Sequence, residues 1–346
     1  MILIIRWIRL VFGYIFYAAV LFCAINYKTA IYLIYQIEGQ LFVLRNTQTV
    51  ENYRALIKLS TLEKNNLLLV EKIKSFSVDS LGYQPTNNFT QIYNQKSSPV
   101  LWVITASEPF VLKAYEWKFP IVGKVSYKGF FDKSLALREF NYLTSLGFDV
   151  DLRSVSAWST LGWFSDPLMS SALNRQKGSL CNLLFHELFH STFYAKNAVD
   201  FNENIASFIA HKATLQFLKN DTFDLNLYIN SYSDNKIYTN YIIRKTTLLN
   251  NFYKNIIDKK DRQFQKLKVL HEILDSIKYL PLKNRAVFDS KKSDILKSKN
   301  AYFIDFEQYD SMQDSLEVVF NKFYNSNIRN LVRDLRQGKT IVKFDN

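Results

Sequence analysis

The chain has 346 residues, 48% of them hydrophobic and 22% charged, a globular composition that excludes wholesale disorder and fibrous repeats. Its two cysteines, Cys23 and Cys181, lie far apart in different surroundings, so neither a disulfide framework nor a cysteine-built zinc finger can be assembled, and any metal site must use histidine and carboxylate. The 44 basic and 31 acidic residues give a net charge of +13, but the lysines are thinly spread and the pairs Lys259-Lys260 and Lys291-Lys292 sit beside aspartates, which reads as a solvated face with no nucleic-acid partner.

Residues 1–25 read MILIIRWIRLVFGYIFYAAVLFCAI, in which Leu10 to Ile25 is an uncharged run of 16 residues, stretched to about 20 if Arg6 and Arg9 snorkel. This predicts a single-pass transmembrane anchor over 1–28, with membrane lipid as its partner. Cleavage as a signal peptide is disfavoured because Tyr17 or Phe22 would occupy the outer recognition position, and Phe22 also disfavours lipoprotein processing at Cys23. Arg6 and Arg9 before the span put the N-terminus in the cytoplasm and the remainder of the chain outside. The competing reading is a buried amphipathic helix of a soluble protein.

From Ala30 to Leu44 the pattern stays helical, and residues 50–81 repeat apolar positions at three and four, predicting two helices that end at Leu81-Gly82. With the turn-rich stretch Tyr83 to Pro99 they form a helical N-terminal segment, 29–98. Between Pro99 and Phe131 the texture turns β-branched and aromatic, the one convincing sheet region. A helix from Asp132 to Ser145 leads through Gly147 into a strand, FDVDLRSVSA, so an antiparallel or mixed sheet flanked by helices is expected. After Gly178 the chain reads mainly as helix. The sheet and the helices to residue 220 form the expected core, 99–220. Residues 221–346 form a helical C-terminal region: a helical pair over Asp221 to Lys299, a mobile loop at Ser290 to Asn300, and last helices from about Tyr309 to Gly338. The expected fold class is α+β, a transmembrane helix followed by a domain with a small mixed sheet and a mainly helical C-terminal part.

Four histidines occur in the chain, and two fall in His186-Glu187-Leu188-Phe189-His190, inside an apolar helical run. Helix positions four apart differ by about 40° in azimuth, so both imidazoles project from one face and can share an ion. Glu187 lies about 100° round from His186 and can reach a water on the metal without ligating it. Two histidines and a carboxylate are costly to bury without a ligand. A hydrolytic zinc site wants three protein ligands and an open fourth position. Asp200 is placed to cap a helix beginning near Phe201, with Glu203 in its first turn. A loop of about seven residues lets the two helices pack antiparallel, so that Glu203 meets His186 and His190. His211 competes for the third place but lies two turns further on, about 12 Å away. His271 reads as a surface or packing residue and Cys181 as a small core residue.

With one zinc ion (Zn2+) on His186, His190 and Glu203, Glu187 takes the proton of a water and passes it to the leaving amine, so the expected reaction is amide hydrolysis in a peptide substrate. No spacing identifies the oxyanion donor; Tyr127, Tyr302 and Tyr309 are candidates. Glu108 is a candidate for gripping a free amino terminus, and the polar-aromatic Trp158 to Pro167 segment for lining the cleft. The alternative function is a membrane-tethered binding or scaffold protein whose metal site is degenerate or structural, closed by a fourth ligand such as His211.

Several blocks occur together: IEGQLFVL at 37–44, WKFPIVGKVSYKGFF at 117–131, AWSTLGWFSDP at 157–167, FHELFHSTFY at 185–194, DFNENIASFIA at 200–210 and KNAYF at 299–303. In this order they resemble the bacterial family of predicted zinc aminopeptidases within the gluzincin metallopeptidases, over roughly residues 30–310. The resemblance implies a gluzincin-like metallopeptidase domain in which His186, His190 and Glu203 hold zinc and Glu187 is catalytic. With the predicted anchor it places the protein in the bacterial inner membrane, facing the periplasm. Asn202-Glu203 matches the Asn-Glu pair of gluzincins generally. Thermolysin-like relatives carry an Asp four residues after the ligand Glu, where this chain has Ser207, so its metal-orienting contacts must be built otherwise. Family members often begin with a lipoprotein signal, from which this chain departs.

Overall fold

The computed structural model describes residues 7, 13, 14, 17, 25–56, 58–119, 123–155, 165–196, 198–255, 261–304 and 312–339. The chain opens with helix α1 (Tyr27–Arg45), strand β1 (Thr47–Thr49), and helices α2 (Val50–Leu56) and α3 (Thr61–Asp79). A capping box starts α3: the Ser60 side chain accepts from the Glu63 amide, and the Glu63 carboxylate accepts from the Ser60 amide. Strands β2 (Gln91–Tyr93), β3 (Leu101–Ser107), β4 (Trp117–Phe119), β5 (Gly123–Val125) and β6 (Tyr127–Phe130) follow, then α4 (Lys133–Ser145) and β7 (Asp149–Val155). Asp132 caps α4 by accepting from the Ser134 and Leu135 amides, and Gly147, at φ +87°, turns the chain into β7.

Strand β3 is central to an antiparallel sheet in the order β6-β3-β7, with Val103 opposite Gly129 on one side and Arg153 on the other. A second sheet, β1-β2-β8, is mixed. In it β8 (Leu168–Met169) runs parallel to β2, with Leu168 opposite Ile92. β4 and β5 pair as a separate antiparallel ribbon. Two helices follow a 3-10 turn at Ser170–Asn174: α5 (Lys177–His190) and α6 (Val199–Leu218). They share the largest apolar core with α3, through Leu67, Val70, Ile73, Leu184, Phe185, Phe189, Ile205 and Ile209. The helical remainder is α7 (Thr222–Asn255), α8 (Arg262–Ile277), α9 (Arg285–Asp289), α10 (Lys291–Ser298), α11 (Asn300–Ile304), α12 (Gln313–Tyr324) and α13 (Ile328–Arg336).

The membrane expectation is corrected. Among the described residues no helix is long and apolar enough to cross a membrane, so the transmembrane part of the expected fold, the inner-membrane location and the lipid partner are not upheld. The run Leu10 to Ile25 lies almost wholly outside the described residues. Helix α1 packs against the domain: the Tyr32 hydroxyl and the Gln36 amide both donate to the Gly129 carbonyl at 2.9 Å, and the Tyr32 ring meets Phe119 and Phe130. The polar stripe of Gln36, Glu38 and Gln40 interrupts its hydropathy.

A second correction concerns Ser290 to Asn300, expected as a loop and found as α10 leading into α11. Its few apolar residues share one side, with Ile295 and Phe303 fully buried. Polar contacts complete the docking: the Ser298 hydroxyl donates to Asp151, and the Asn300 side chain donates to the Glu108 carbonyl at 2.8 Å. Beside them the wholly buried Lys266 on α8 pairs with Asp149 on β7 and donates to the Pro109 carbonyl at 2.7 Å, tying the C-terminal helices to the sheet.

Candidate metal centre

Helices α5 and α6 run antiparallel, joined by the eight residues Ser191 to Ala198. Their register is legible in facing pairs. Glu203 meets His190, Ser207 meets His186, and Asn182 and His211 share the Tyr228 hydroxyl. Each helix thus contributes a polar residue every fourth position to a stripe within an otherwise apolar interface. Asn202 fixes the turn between the helices. Fully buried, it accepts from the Ala195 amide and donates to the Ala195 carbonyl, both at 2.8 Å, so its amide acts as a surrogate peptide for the connector. Helix α6 begins at Val199, so Asp200, expected as its cap, lies in its first turn.

The His186 and His190 Nε2 atoms are 3.1 Å apart. Glu203 Oε2 is 3.2 Å from the first, and its Oε1 is 3.4 Å from the second. A tetrahedral ion with bonds of about 2.0–2.1 Å holds its donors about 3.3–3.4 Å apart; each of these separations is close to that, the two histidines facing different oxygens of the one carboxylate. Among the described residues this is the group of His, Cys, Asp and Glu side chains able to hold a metal ion. The donor set, two imidazoles and a carboxylate, suits a divalent ion.

Burial raises Glu203, but its contacts with His186 and His190 outweigh that and hold its carboxyl down at about 2, so it is ionised across the physiological range. Glu187 moves the other way. Burial pushes its carboxyl above the ordinary glutamate value; His186 and His190 pull it back, and Glu203 and Asp166 add to the rise. On the other side of the His186 ring, Ser207 Oγ lies 3.4 Å from Nδ1. His190 Nδ1 is buried and has no hydrogen-bond partner among the described residues.

The other expected residues divide. Tyr127 on β6 is close enough to Glu203 and Tyr194 for their charge to add to the burial that raises its phenol. Glu108 has its carboxylate 3.8 Å from Lys113 and its carbonyl bound by Asn300. Tyr302 bonds the Tyr238 hydroxyl at 2.7 Å. Tyr309 and most of the Trp158 to Pro167 segment lie outside the described residues. His211 is not in the cluster: its Nδ1 is 3.0 Å from the Tyr228 hydroxyl, and its ring stacks on Tyr232 at 3.6 Å. His271 is exposed, Nδ1 against the Leu267 carbonyl, and Cys181 is fully buried.

Three residues near the site gave no sequence signal. Tyr83 donates to the Phe185 carbonyl at 3.3 Å, and the Gln84 amide donates to Thr192 Oγ1. Asn88 donates to Ser191 Oγ at 3.0 Å and accepts from the Asp166 amide at 3.0 Å. Together these stitch the loop after α3 onto the C-terminal turn of α5. Only a long-range contact reveals them, and spacing along the chain carries none.

No curated protein and no solved structure matches the chain. The family model described as "Putative aminopeptidase" matches residues 31–343, nearly the whole length, and the chain belongs to that family.

Proposed function

We propose that the chain is a zinc-dependent peptidase that removes residues from the amino terminus of peptides, with His186, His190 and Glu203 as metal ligands and Glu187 as general base. The observation that carries this reading is the cluster of His186, His190 and Glu203, with Nε2–Nε2 and Nε2–carboxylate separations of 3.1, 3.2 and 3.4 Å, assembled from two helices beside a glutamate that is not part of it. When bound, zinc acidifies water and polarises the substrate carbonyl. Glu187, its basicity raised by burial, accepts the proton of the attacking water and delivers it to the departing amine. Tyr127, which burial keeps in its phenol form, is the candidate donor to the oxygen that gains charge. The closed, structural alternative is disfavoured because His211 is engaged by Tyr228 and Tyr232, leaving the cluster with three protein donors among the described residues.

The test uses the full chain. Metal content is measured first, then turnover of a mixture of peptides, with Glu187→Gln as control. The expected outcome is one zinc per chain in both proteins and a fall in turnover of about 10²–10⁴-fold in the variant. Equal turnover by the two proteins would refute the assignment.

A further inference from the structure

We propose that the outer face of α1 is an interface with a second copy of this chain, the two α1 helices packing antiparallel about a two-fold axis level with residue 36. One side of the helix is already taken by its own domain. Tyr32 and Gln36 donate to the Gly129 carbonyl, Val43 is buried, and a Cβ added to Gly39 would collide with the Phe131 ring, so α1 lies hard against the end of β6. The opposite side carries Tyr27, Ile31, Ile34, Ile37, Leu41 and Phe42, which are between 36% and 61% exposed. At about 100 Å² for a half-exposed side chain of this size, they and their neighbours Leu33 and Tyr35 leave roughly 800 Å² of apolar surface open, where the largest patch on a typical monomer is about 300–600 Å². Each partner brings about 800 Å² to a stable interface of standard size.

The spacing along the helix says what covers this face. Positions 27, 31, 34, 38, 41 and 45 advance by four and three alternately, the repeat of a coiled-coil seam, and the seam includes Glu38 and Arg45. Parallel pairing in register would set Glu38 against Glu38 and Arg45 against Arg45, a repulsion that disfavours it. Reversing one helix about residue 36 maps the seam onto itself: Tyr27 falls opposite Arg45, Ile31 opposite Leu41, and Ile34 opposite Glu38. The Arg45 guanidinium then meets an aromatic face, and the stem of Glu38 covers Ile34 while its carboxylate reaches solvent at the edge. Beside the seam, Ile37 packs next to its own copy. A two-fold interface requires this kind of self-complementarity. A lipid surface would instead meet an ionised carboxylate at the middle of the stripe, which is costly.

The experiment follows the full chain by sedimentation velocity at micromolar concentration and by disulfide trapping. The wild type is expected to be a dimer. Ile34→Gln combined with Leu41→Gln, helix-compatible changes at exposed positions, should weaken the dimer by about tenfold or more. Trapping uses Cys23→Ser as background, Cys181 being buried. Ile31→Cys and Leu41→Cys in one chain should give a covalent dimer on oxidation, and neither change alone should, because equivalent copies of either position lie about 15 Å apart along the antiparallel pair. Cross-linking of either single variant would show parallel pairing and overturn the proposal. A wild-type monomer, a dimer indifferent to the glutamine changes, or a monomer that binds phosphatidylcholine vesicles through this face would overturn it too. None of these readouts passes through catalysis, so the peptidase reading stands or falls separately.

Discussion

His186 and His190 are supported unequally at their outer nitrogens. Ser207 faces the first at 3.4 Å, and the second has no partner among the described residues. A hydroxyl orients an imidazole but carries no charge to raise its basicity, so as the proposed metal ligands the pair would bind more weakly than one backed by carboxylates. Removing the hydroxyl in Ser207→Ala should loosen metal by about tenfold, and Ser207→Asp should tighten it; competition with a chromogenic chelator checks both. Unchanged affinity in both variants would show that the contact orients nothing. At this scale the clustering of His186, His190 and Glu203 was open to sequence reasoning because helix geometry alone pairs positions 186 and 190, and a short connector brings Glu203 back to them. Ser207 was visible only as a departure from a pattern. Asp166 and Asn88 were not visible as partners at all, since they meet across 78 positions through a contact that periodicity cannot register.

The helices set the site by how closely they approach. A Cβ added to Gly178, at the start of α5, would lie 2.6 Å from the Tyr228 Cβ on α7, and Tyr228 in turn holds Asn182 and His211 at the end of the polar stripe. Gly178→Ala should therefore push α7 away and cost about 1–3 kcal/mol, read from the midpoint of chemical denaturation. A stability within error of wild type would mean that the two helices separate freely. Long amphipathic stretches were legible element by element: α1, α3, α4, α7 and α8 follow their apolar spacing, and β3 and β7 their β-branched texture. What escaped were β1, β2 and β8, of two or three residues each, too short for any period to declare itself. The segment at 290–300 escaped because α10 and α11 owe their docking to Asp149, Asp151 and Glu108 far upstream.

Across the whole molecule, the buried Lys266–Asp149 pair joins the C-terminal helices to the β6-β3-β7 sheet. Asp149 also accepts from the Asn300 amide at 3.1 Å, and Tyr253 on α7 donates to the Asn300 side chain at 2.6 Å. Desolvation pulls the Lys266 ammonium below its ordinary value, against the pull of Asp149. Lys266→Met leaves Asp149 dry and unpaired, so it should cost about 3–5 kcal/mol, and adding Asp149→Leu should recover much of that. Urea denaturation of the three proteins decides, and a single variant as stable as wild type would show that the pair bears no strain when broken. The proposed metal donors lie apart from this long-range docking. All three fall between positions 186 and 203, on a helical hairpin closed by eight residues, and so short a loop loses little chain entropy on closing. If the site is filled as proposed, the hairpin alone carries all three donors, so an ion bound there would favour the folded chain over the unfolded one, and cation supply would then bear on how much of the polypeptide reaches its native state.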